Sequence, residues 1–339
     1  MNPLNVLYQT NEYYTVVTGI SMTSLMENNR DLDEINFYIL DDKIGEPARE
    51  KMREACAQYG RSVTFLDTEH ILAKLIEMNV VPFRDTYTTY FKLIALDEID
   101  VPSGRILQLD GDTIINASLR PLLETDISDY VCAAVYECTQ NEYKEMIGIP
   151  ADDLYYNCGV LWVNLDNWRA EHCTDRIIEH LTQVRNRYWS VDQDIINVLF
   201  RNRIKMIDVT YNYNSGFYIY GVDEAFRIYG LDRPTYYTRD YVRQRYAHPV
   251  LNHCMGAATG RPWELDSIHP QNGLFDHYLR MSPWADYQKM GKKRSPLFRA
   301  QRFLYQALPR PLYVPLHKLI LTRYLRRMNS QAVEKQTKA

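Results

Sequence analysis

An alternation of short apolar runs with segments of helical period is the feature that most constrains the fold of this chain. The helical patterns cover Tyr14–Met26, Glu46–Tyr59, Thr88–Leu96, Arg169–Arg185 and Asp192–Phe200. The strand-like runs are Asn5–Tyr8, Asn36–Leu40, Ser62–Leu66, Arg105–Leu109, Val131–Val135 and Gly159–Asn164. This order predicts an α/β fold with a mostly parallel sheet flanked by helices. Ligands of such sheets bind beyond the carboxyl ends of the strands, so polar residues there are the candidate site.

Charge divides the chain into two parts. Of the 39 Lys and Arg residues, 13 lie between Lys289 and the C-terminus, whereas Glu334 is the single acid there out of 43. Because composition also changes near Trp284, we predict a catalytic domain over residues 1–284 and a basic amphipathic C-terminal tail over 285–339. A basic tail on an acidic body indicates an anionic surface as a partner.

The tail mixes its positive charges with aromatic and aliphatic residues. Such a segment can lie on an anionic bilayer. The alternative is a pair of helices that packs on the body, with its basic face against the acids of the body. Nucleic acid is not expected as a partner, because the acidic body would repel it.

The six cysteines are scattered and form no C-x-x-C motif, which favours a reducing compartment. The first residues lack a cationic flank followed by an apolar core, and no stretch approaches ~18 consecutive apolar residues. These patterns predict a cytoplasmic protein, with the tail allowing peripheral contact with the inner face of the cell membrane.

The sharpest local motif is Asp110-Gly111-Asp112, directly after the strand Arg105–Leu109. Two carboxylates one residue apart at a strand end can reach one hard divalent cation. Gly111 allows close approach of the backbone to a ligand. A metal held there can bridge two phosphates and neutralise a leaving diphosphate. A polar turn without a function is one alternative. A dehalogenase-type phosphatase is another, although its motif is D-x-D-x-[TV] and Thr113 stands one place too early for it.

Five segments in a fixed order carry a more specific signal. As a set, they resemble glycosyltransferase family 8, the retaining transferases that include bacterial lipopolysaccharide galactosyl- and glucosyltransferases. The resemblance implies a Rossmann-like sheet of the glycosyltransferase A type. The segments are Leu7–Tyr14 with Gly19–Ser21 and Ser24-Leu25, Phe37–Asp42, Thr86–Leu93 with the aspartate motif, Tyr155–Leu161 with Asn164-Leu165 and Trp168-Arg169, and Asp192–Asn197.

The resemblance also implies roles for individual residues. Asp110, Asp112 and His253 match the metal ligands, usually of manganese, with magnesium as the alternative ion. Asp192 matches a carboxylate that holds a donor-sugar hydroxyl, and Gln193 matches the group near the anomeric carbon. The remaining donor-binding positions are Asn11, Tyr13 and Tyr14 for uracil and ribose, Asn157 and Gly159 for the sugar, and Gly111.

Three positions depart from the family pattern. The family often has aspartate at the position of Asn11, and asparagine alters that contact but can still form a hydrogen bond. Lys92 stands where the family prefers a donor-contacting arginine, and lysine lacks the planar fork of arginine. The family motif H-x-x-G-x-x-K-P-W appears as His253 and Gly256 at the correct spacing, followed two residues late by Arg261 in place of lysine. Gly256 and Arg261 therefore remain candidate donor-binding residues with altered spacing.

The resemblance implies a metal-dependent retaining transferase that moves glucose or galactose from a UDP-hexose to a glycan or glycolipid, with lipopolysaccharide or another lipid-linked cell-surface glycan as the acceptor. A nucleotide-sugar binding protein without catalysis is the alternative, because of the changes at Lys92 and after His253. A group of aromatic residues either lines an acceptor groove or packs in the core: Phe217, Tyr218, Tyr220, Tyr236 and Tyr237.

Overall fold

The computed structural model describes residues 3–83, 85–184 and 188–338, with side chains up to Met328. The predicted helix end at Arg185 and the last tail residue, Ala339, lie outside these ranges. The strands are β1 Leu4–Asn11, β2 Ile35–Asp42, β3 Ser62–Asp67, β4 Arg105–Leu109, β5 Thr113–Ile115, β6 Cys132–Tyr136, β7 Tyr156–Asn164, β8 Ile204–Met206, β9 Tyr213–Asn214 and β10 Leu251–His253.

Seven of these strands form the central sheet, in the order β3-β2-β1-β4-β7-β6-β8. The neighbours pair in parallel except at β7, which runs antiparallel to both β4 and β6. The predicted mostly parallel α/β sheet is therefore confirmed. A small second sheet, in the order β5-β10-β9, lies beyond the end of β4. The reversed β7 brings its N-terminal residues to the edge where β1 and β4 have their carboxyl ends.

Helices cover both faces of the central sheet. Successive β1 residues point to opposite faces, so that Val6 and Tyr8 join one apolar core and Leu7 joins the other. The helices are α1 Thr15–Asn28, α2 Glu46–Ala57, α3 Glu69–Glu77, α4 Thr88–Ala95, α5 Arg120–Leu123, α6 Asn141–Met146, α7 Leu165–Ala170, α8 Cys173–Val184, α9 Val191–Phe200, α10 Gly216–Tyr220, α11 Val222–Tyr229, α12 Arg239–Arg245, α13 Asn272–Met281, α14 Pro296–Ala307 and α15 Arg310–Lys338.

Several predicted boundaries differ from the observed ones by a few residues, and two of the differences have a clear local reason. The helix predicted from Arg169 is split into α7 and α8, because His172 adopts a left-handed backbone conformation (φ 52°) between them. Strand β7 begins at Tyr156 rather than at Gly159. Its first residues are Tyr, Asn and Cys, so the apolar run from which the strand was predicted starts later than the strand itself.

The C-terminal tail packs on the body as two helices. Tyr313 and Val314 of α15 enter a small apolar cluster with Tyr220 and Ile228. Arg294 pairs with Glu264 and Asp266 at 2.6 Å each, and Arg302 pairs with Asp266 at 3.0 Å.

The packing of the tail on the body is thus confirmed, while the division after Trp284 and the contact of the tail with a membrane stay predictions. Among the described residues, no helix has the length and apolar character needed to cross a bilayer.

Candidate functional site

A cleft of about 750 Å³ opens at the carboxyl ends of β1 and β4. The reversed strand β7 contributes its first residues to the same cleft. All the predicted site residues except Lys92 line it: Asn11, Tyr13, Tyr14, Asp110, Gly111, Asp112, Asn157, Gly159, Asp192, Gln193, His253, Gly256 and Arg261. The fold thus brings predicted site residues from five separate segments to one place.

Asp110, Asp112 and His253 form a cluster on the floor of the cleft. Their potential ligand atoms all lie within 4.8 Å of one another. Strand β10 pairs antiparallel with β5 and places His253 opposite Thr113, the residue after Asp112. Two carboxylates and one imidazole suit a divalent ion such as Mn²⁺ or Mg²⁺. The donor set therefore fits the implied metal.

A chain of amides fixes the orientation of His253. The Nδ2 of Asn212 donates to Asn157 Oδ1 at 2.6 Å, so Asn212 Oδ1 faces His253 Nδ1 as an acceptor at 3.1 Å. His253 must then carry a proton on Nδ1, which leaves Nε2 directed at Asp112 Oδ1, 3.2 Å away. A metal-binding histidine is usually oriented in this way by a partner on its other nitrogen.

Asp112 is surrounded by positive charge. Arg261 Nη1 lies 2.6 Å from Asp112 Oδ2 and donates to Tyr14 Oη at 2.8 Å. Burial opposes ionisation of Asp112, but His253 and Arg261 outweigh it and lower the pKa of this carboxyl below its usual value. Burial likewise opposes the charged form of His253, yet Asp112 raises the pKa of this imidazole. Arg261 thus reaches the aspartate despite the insertion before it.

Lys92 is buried beneath the cleft and does not line it. Its Nζ lies 2.6 Å from Asp192 and 3.3 Å from Asp110, and it donates to the carbonyl of Cys158 at 3.0 Å. Although burial opposes its charge, the two aspartates raise the pKa of this amine. The structure therefore places Lys92 as a link between the metal cluster and Asp192.

Close packing surrounds Gly159. Its N–H donates to Asn157 Oδ1 at 2.9 Å. A Cβ at Gly159 would lie 2.9 Å from Asp110 Oδ2 and closer still to His253 Cε1. The absence of a side chain at Gly159 therefore allows two of the candidate metal ligands to meet.

Replacing Gly159 by alanine is expected to weaken Mn²⁺ binding by about 100-fold, because the methyl group pushes His253 and Asp110 apart. The measurement is an isothermal calorimetric titration of Mn²⁺ into each variant. Gly273→Ala is the control, since a Cβ there has no atom within 4 Å. Equal Mn²⁺ affinity in both variants would contradict the geometry.

Gln193 is held in place from both ends of its amide. Its Oε1 accepts from the Cys158 N–H at 3.1 Å, and its Nε2 donates to Tyr155 Oη at 3.1 Å. Tyr155 and Tyr143 in turn donate to the carboxylate of Asp194, which also accepts from the Ser190 N–H at 2.9 Å. Asp194 therefore fixes Gln193 through Tyr155.

Asp194 should make stability depend on pH. Burial raises its pKa to about 6, so between about pH 4 and pH 6 the folded chain holds a proton that the unfolded chain has lost. Because the folded chain must give up this proton or keep it at a cost, the contribution of Asp194 lowers the free energy of unfolding by up to about 3 kcal/mol as pH rises through this window. Relative to wild type, Asp194→Asn should therefore gain stability across this window in urea unfolding.

A second carboxylate provides the control for this experiment. Arg201 holds the pKa of Asp153 below its usual value in spite of partial burial, so Asp153→Asn should become relatively less stable as pH rises to about 4 and change little between about pH 4 and pH 6. A pH-independent difference between Asp194→Asn and wild type would contradict the assignment.

Glu137 is a site residue that the sequence analysis missed. It lines the cleft, accepts from Asn157 Nδ2, and accepts from Asn214 Nδ2 at 3.3 Å. Burial raises the pKa of its carboxyl. A signal was present, because Glu137 directly follows β6, and polar residues after strands were the expected candidates.

The aromatic residues considered for an acceptor groove do not line the cleft. Phe217, Tyr236 and Tyr237 are buried in the main core, Tyr218 packs against it, and Tyr220 joins the cluster under α15. Packing is thus their role in the structure. Their sequence spacing gave no information on which face of the fold they occupy.

The model of glycosyl transferase family 8 matches residues 5–265 of the chain. Two curated bacterial enzymes are similar over most of their length. A lipopolysaccharide 1,2-glucosyltransferase of Escherichia coli is 25% identical, covering 89% of this chain and 86% of the relative. A lipopolysaccharide 1,3-galactosyltransferase of Salmonella typhimurium is 23% identical, covering 83% of this chain and 79% of the relative.

Among solved structures, the galactosyltransferase LgtC in complex with donor and acceptor sugar analogues has the same fold. The TM-score is 0.67 at 23% identity, covering 88% of this chain and 99% of LgtC. The glycosyltransferase GlyE of Streptococcus pneumoniae aligns with a TM-score of 0.60 at 17% identity, covering 86% of this chain and 66% of GlyE. The matched family and fold leave no support for the dehalogenase-type phosphatase.

Proposed function

The chain belongs to glycosyltransferase family 8, and on this premise we propose that it transfers a hexose, glucose or galactose, from a UDP-sugar to a glycan. The observation that carries the proposal is the cluster of Asp110, Asp112 and His253 on the floor of a large cleft. In this proposal, these three residues hold Mn²⁺ or Mg²⁺. The metal, when bound, supplies positive charge against the diphosphate of the donor.

The residues that line the cleft suggest how the donor would be oriented in this proposal. Asn11, Tyr13 and Tyr14, at the end of β1, face the nucleoside, and Asn157, Gly159 and Asp192 face the sugar. Arg261 lies beside Asp112 and can add charge against the phosphates. Stabilising the charge that develops on the leaving UDP is the main catalytic contribution in this arrangement.

Transfer in this proposal retains the anomeric configuration. The bond between C1 of the hexose and the diphosphate oxygen breaks, an acceptor hydroxyl oxygen bonds to C1 from the same face, and its proton passes to the leaving phosphate. Gln193 supports this route because it is an amide, a poor nucleophile, and its two ends are already engaged by Cys158 and Tyr155. Its role is then to stabilise the oxocarbenium-like centre.

The test is UDP release from UDP-glucose, UDP-galactose and UDP-N-acetylglucosamine, with Mn²⁺ and with excess chelator. We expect UDP to be released from one of these UDP-hexoses in the presence of Mn²⁺, and we expect excess chelator to abolish that release. UDP binding without release from any sugar would favour the alternative, a binding protein without catalysis. Absence of both binding and release would contradict the proposal.

The acceptor is proposed to be lipopolysaccharide or another lipid-linked glycan, reached by the protein at the inner face of the cell membrane. The two tail helices support this idea. Their outer surface exposes Leu297, Phe303 and Leu312, at 63%, 68% and 61%. Arg299, Arg323 and Arg327 are also exposed there. Exposed apolar side chains together with exposed basic residues on the same two helices suit an anionic bilayer surface.

In vesicle flotation, the protein is expected to bind phosphatidylglycerol vesicles and not phosphatidylcholine vesicles, with binding weakened by salt. Phe303→Asp should weaken binding at least about fivefold, because it removes an inserted apolar ring. Ile76→Asp changes another exposed apolar residue, 55% accessible and far from the tail in sequence, and should have no effect. Unchanged binding of Phe303→Asp would contradict this surface.

A further inference from the structure

Next to the main cleft lies a smaller pocket of about 140 Å³. The two share four lining residues, namely Glu137, Trp189, Ser190 and Gln193. The pocket therefore opens from the cleft at Gln193, the group placed near the anomeric carbon in the proposed function. Anything bound in this pocket would lie beside the reacting centre.

The C-terminal helix α15 forms one wall of this pocket. Leu321 and Leu325 line it. Between them, Thr322 Oγ1 donates to Gln140 Oε1 at 2.8 Å, and Tyr324 packs edge-on against Trp189 with ring centroids 5.6 Å apart. Helix α15 is thus attached to the body at this pocket by a hydrogen bond and a ring contact.

The lining of the pocket has the chemistry of a sugar site. The aromatic rings of Tyr143, Tyr155, Trp189 and Tyr229 offer flat apolar surfaces, and Glu137 offers a carboxylate. A pyranose has an apolar C–H face and an edge of hydroxyl groups, so this mixture suits it. A cavity of about 150 Å³ accommodates a benzene-sized ring, so this pocket takes one side of a pyranose ring while the rest of the sugar extends into the adjoining cleft.

We propose that this pocket, with α15 as its wall, binds the terminal sugar ring of the acceptor glycan. The proposal rests on the proposed transferase function and assigns an acceptor subsite within it. The match to the family ends at residue 265, so the wall comes from a part of the chain outside the family model. The tail thereby acts in acceptor selection in addition to any contact with a membrane.

The test uses UDP release with the preferred UDP-hexose and Mn²⁺, with and without methyl glucosides and galactosides as acceptor probes. In wild type, at least one glycoside raises the rate above that of donor hydrolysis. Leu321→Trp fills the pocket and should reduce this glycoside-dependent rate at least tenfold, leaving hydrolysis within twofold. Leu321→Ala enlarges the pocket and should raise the KM for the glycoside at least threefold.

Leu319→Trp is the matched control, because Leu319 lies on the same helix and is 48% exposed. It should behave as wild type. The proposal is overturned if Leu321→Trp keeps the wild-type response to glycosides, or if no glycoside stimulates a wild-type enzyme that hydrolyses its donor. Failure of the underlying transferase function gives a different result, namely no metal-dependent UDP release without glycoside in wild type.

Discussion

Replacing Asp110 or Asp112 by asparagine is expected to reduce metal-dependent UDP release by at least about 1,000-fold. Each carboxylate is one of three candidate metal ligands within 4.8 Å, and its loss weakens binding of the cation whose positive charge would neutralise the leaving diphosphate. An amide preserves the shape of the side chain, so the fold should persist. The measurement is the rate of UDP release at saturating UDP-hexose over a range of Mn²⁺ concentrations.

The control for this pair is Asp67→Asn. Asp67 also ends a strand of the central sheet, β3, but it is exposed and lies outside the cleft lining. It should retain wild-type activity. If Asp110→Asn and Asp112→Asn both release UDP within tenfold of the wild-type rate, the metal cluster is not the centre of the reaction.

Replacing Lys92 by methionine is expected to destabilise the fold by about 3 kcal/mol, because it leaves two partly buried aspartates without their shared buried counter-charge. Lys92 Nζ is the group that lies between Asp110 and Asp192. Added Mn²⁺ should recover part of this loss, since a cation bound at Asp110 replaces one of the missing contacts. The measurement is urea unfolding with Mn²⁺ and with chelator.

Lys144→Met is the matched control. Lys144 is also fully buried, but its Nζ donates to the backbone carbonyl of Asp153 at 2.8 Å, and burial lowers its pKa to about 8. Its replacement should cost less, about 1–2 kcal/mol, and Mn²⁺ should not alter that cost. Equal losses in the two variants, both insensitive to Mn²⁺, would contradict the assigned role of Lys92.

The order of elements was predictable because buried parallel strands and amphipathic helices leave different apolar patterns. The direction of β7 was not predictable, since a continuous apolar run reads the same whether the strand is parallel or antiparallel. That reversal decides the site, because it brings Asn157 and Gly159 to the edge where β4 delivers Asp110.

The contact partners of individual side chains were also not predictable from the sequence. Lys92 stands inside the apolar segment Tyr90–Leu96, and a charge in such a run indicates a buried ion pair. The sequence contained that signal, but only the folded structure identifies Asp110 and Asp192 as the two partners of Lys92. The contact of α15 with Trp189 depends on how a distant helix packs, and the basic and apolar pattern of the tail does not specify it.

Calorimetric titration of UDP into the wild-type protein and into Asp112→Asn, each with Mn²⁺ and with chelator, tests most directly whether the cluster of Asp110, Asp112 and His253 holds the metal that binds the donor. We predict that UDP binds the wild type with Mn²⁺ and that chelator or the substitution weakens binding at least about 100-fold. Equally tight UDP binding in all four conditions, or no binding in any of them, would contradict this account.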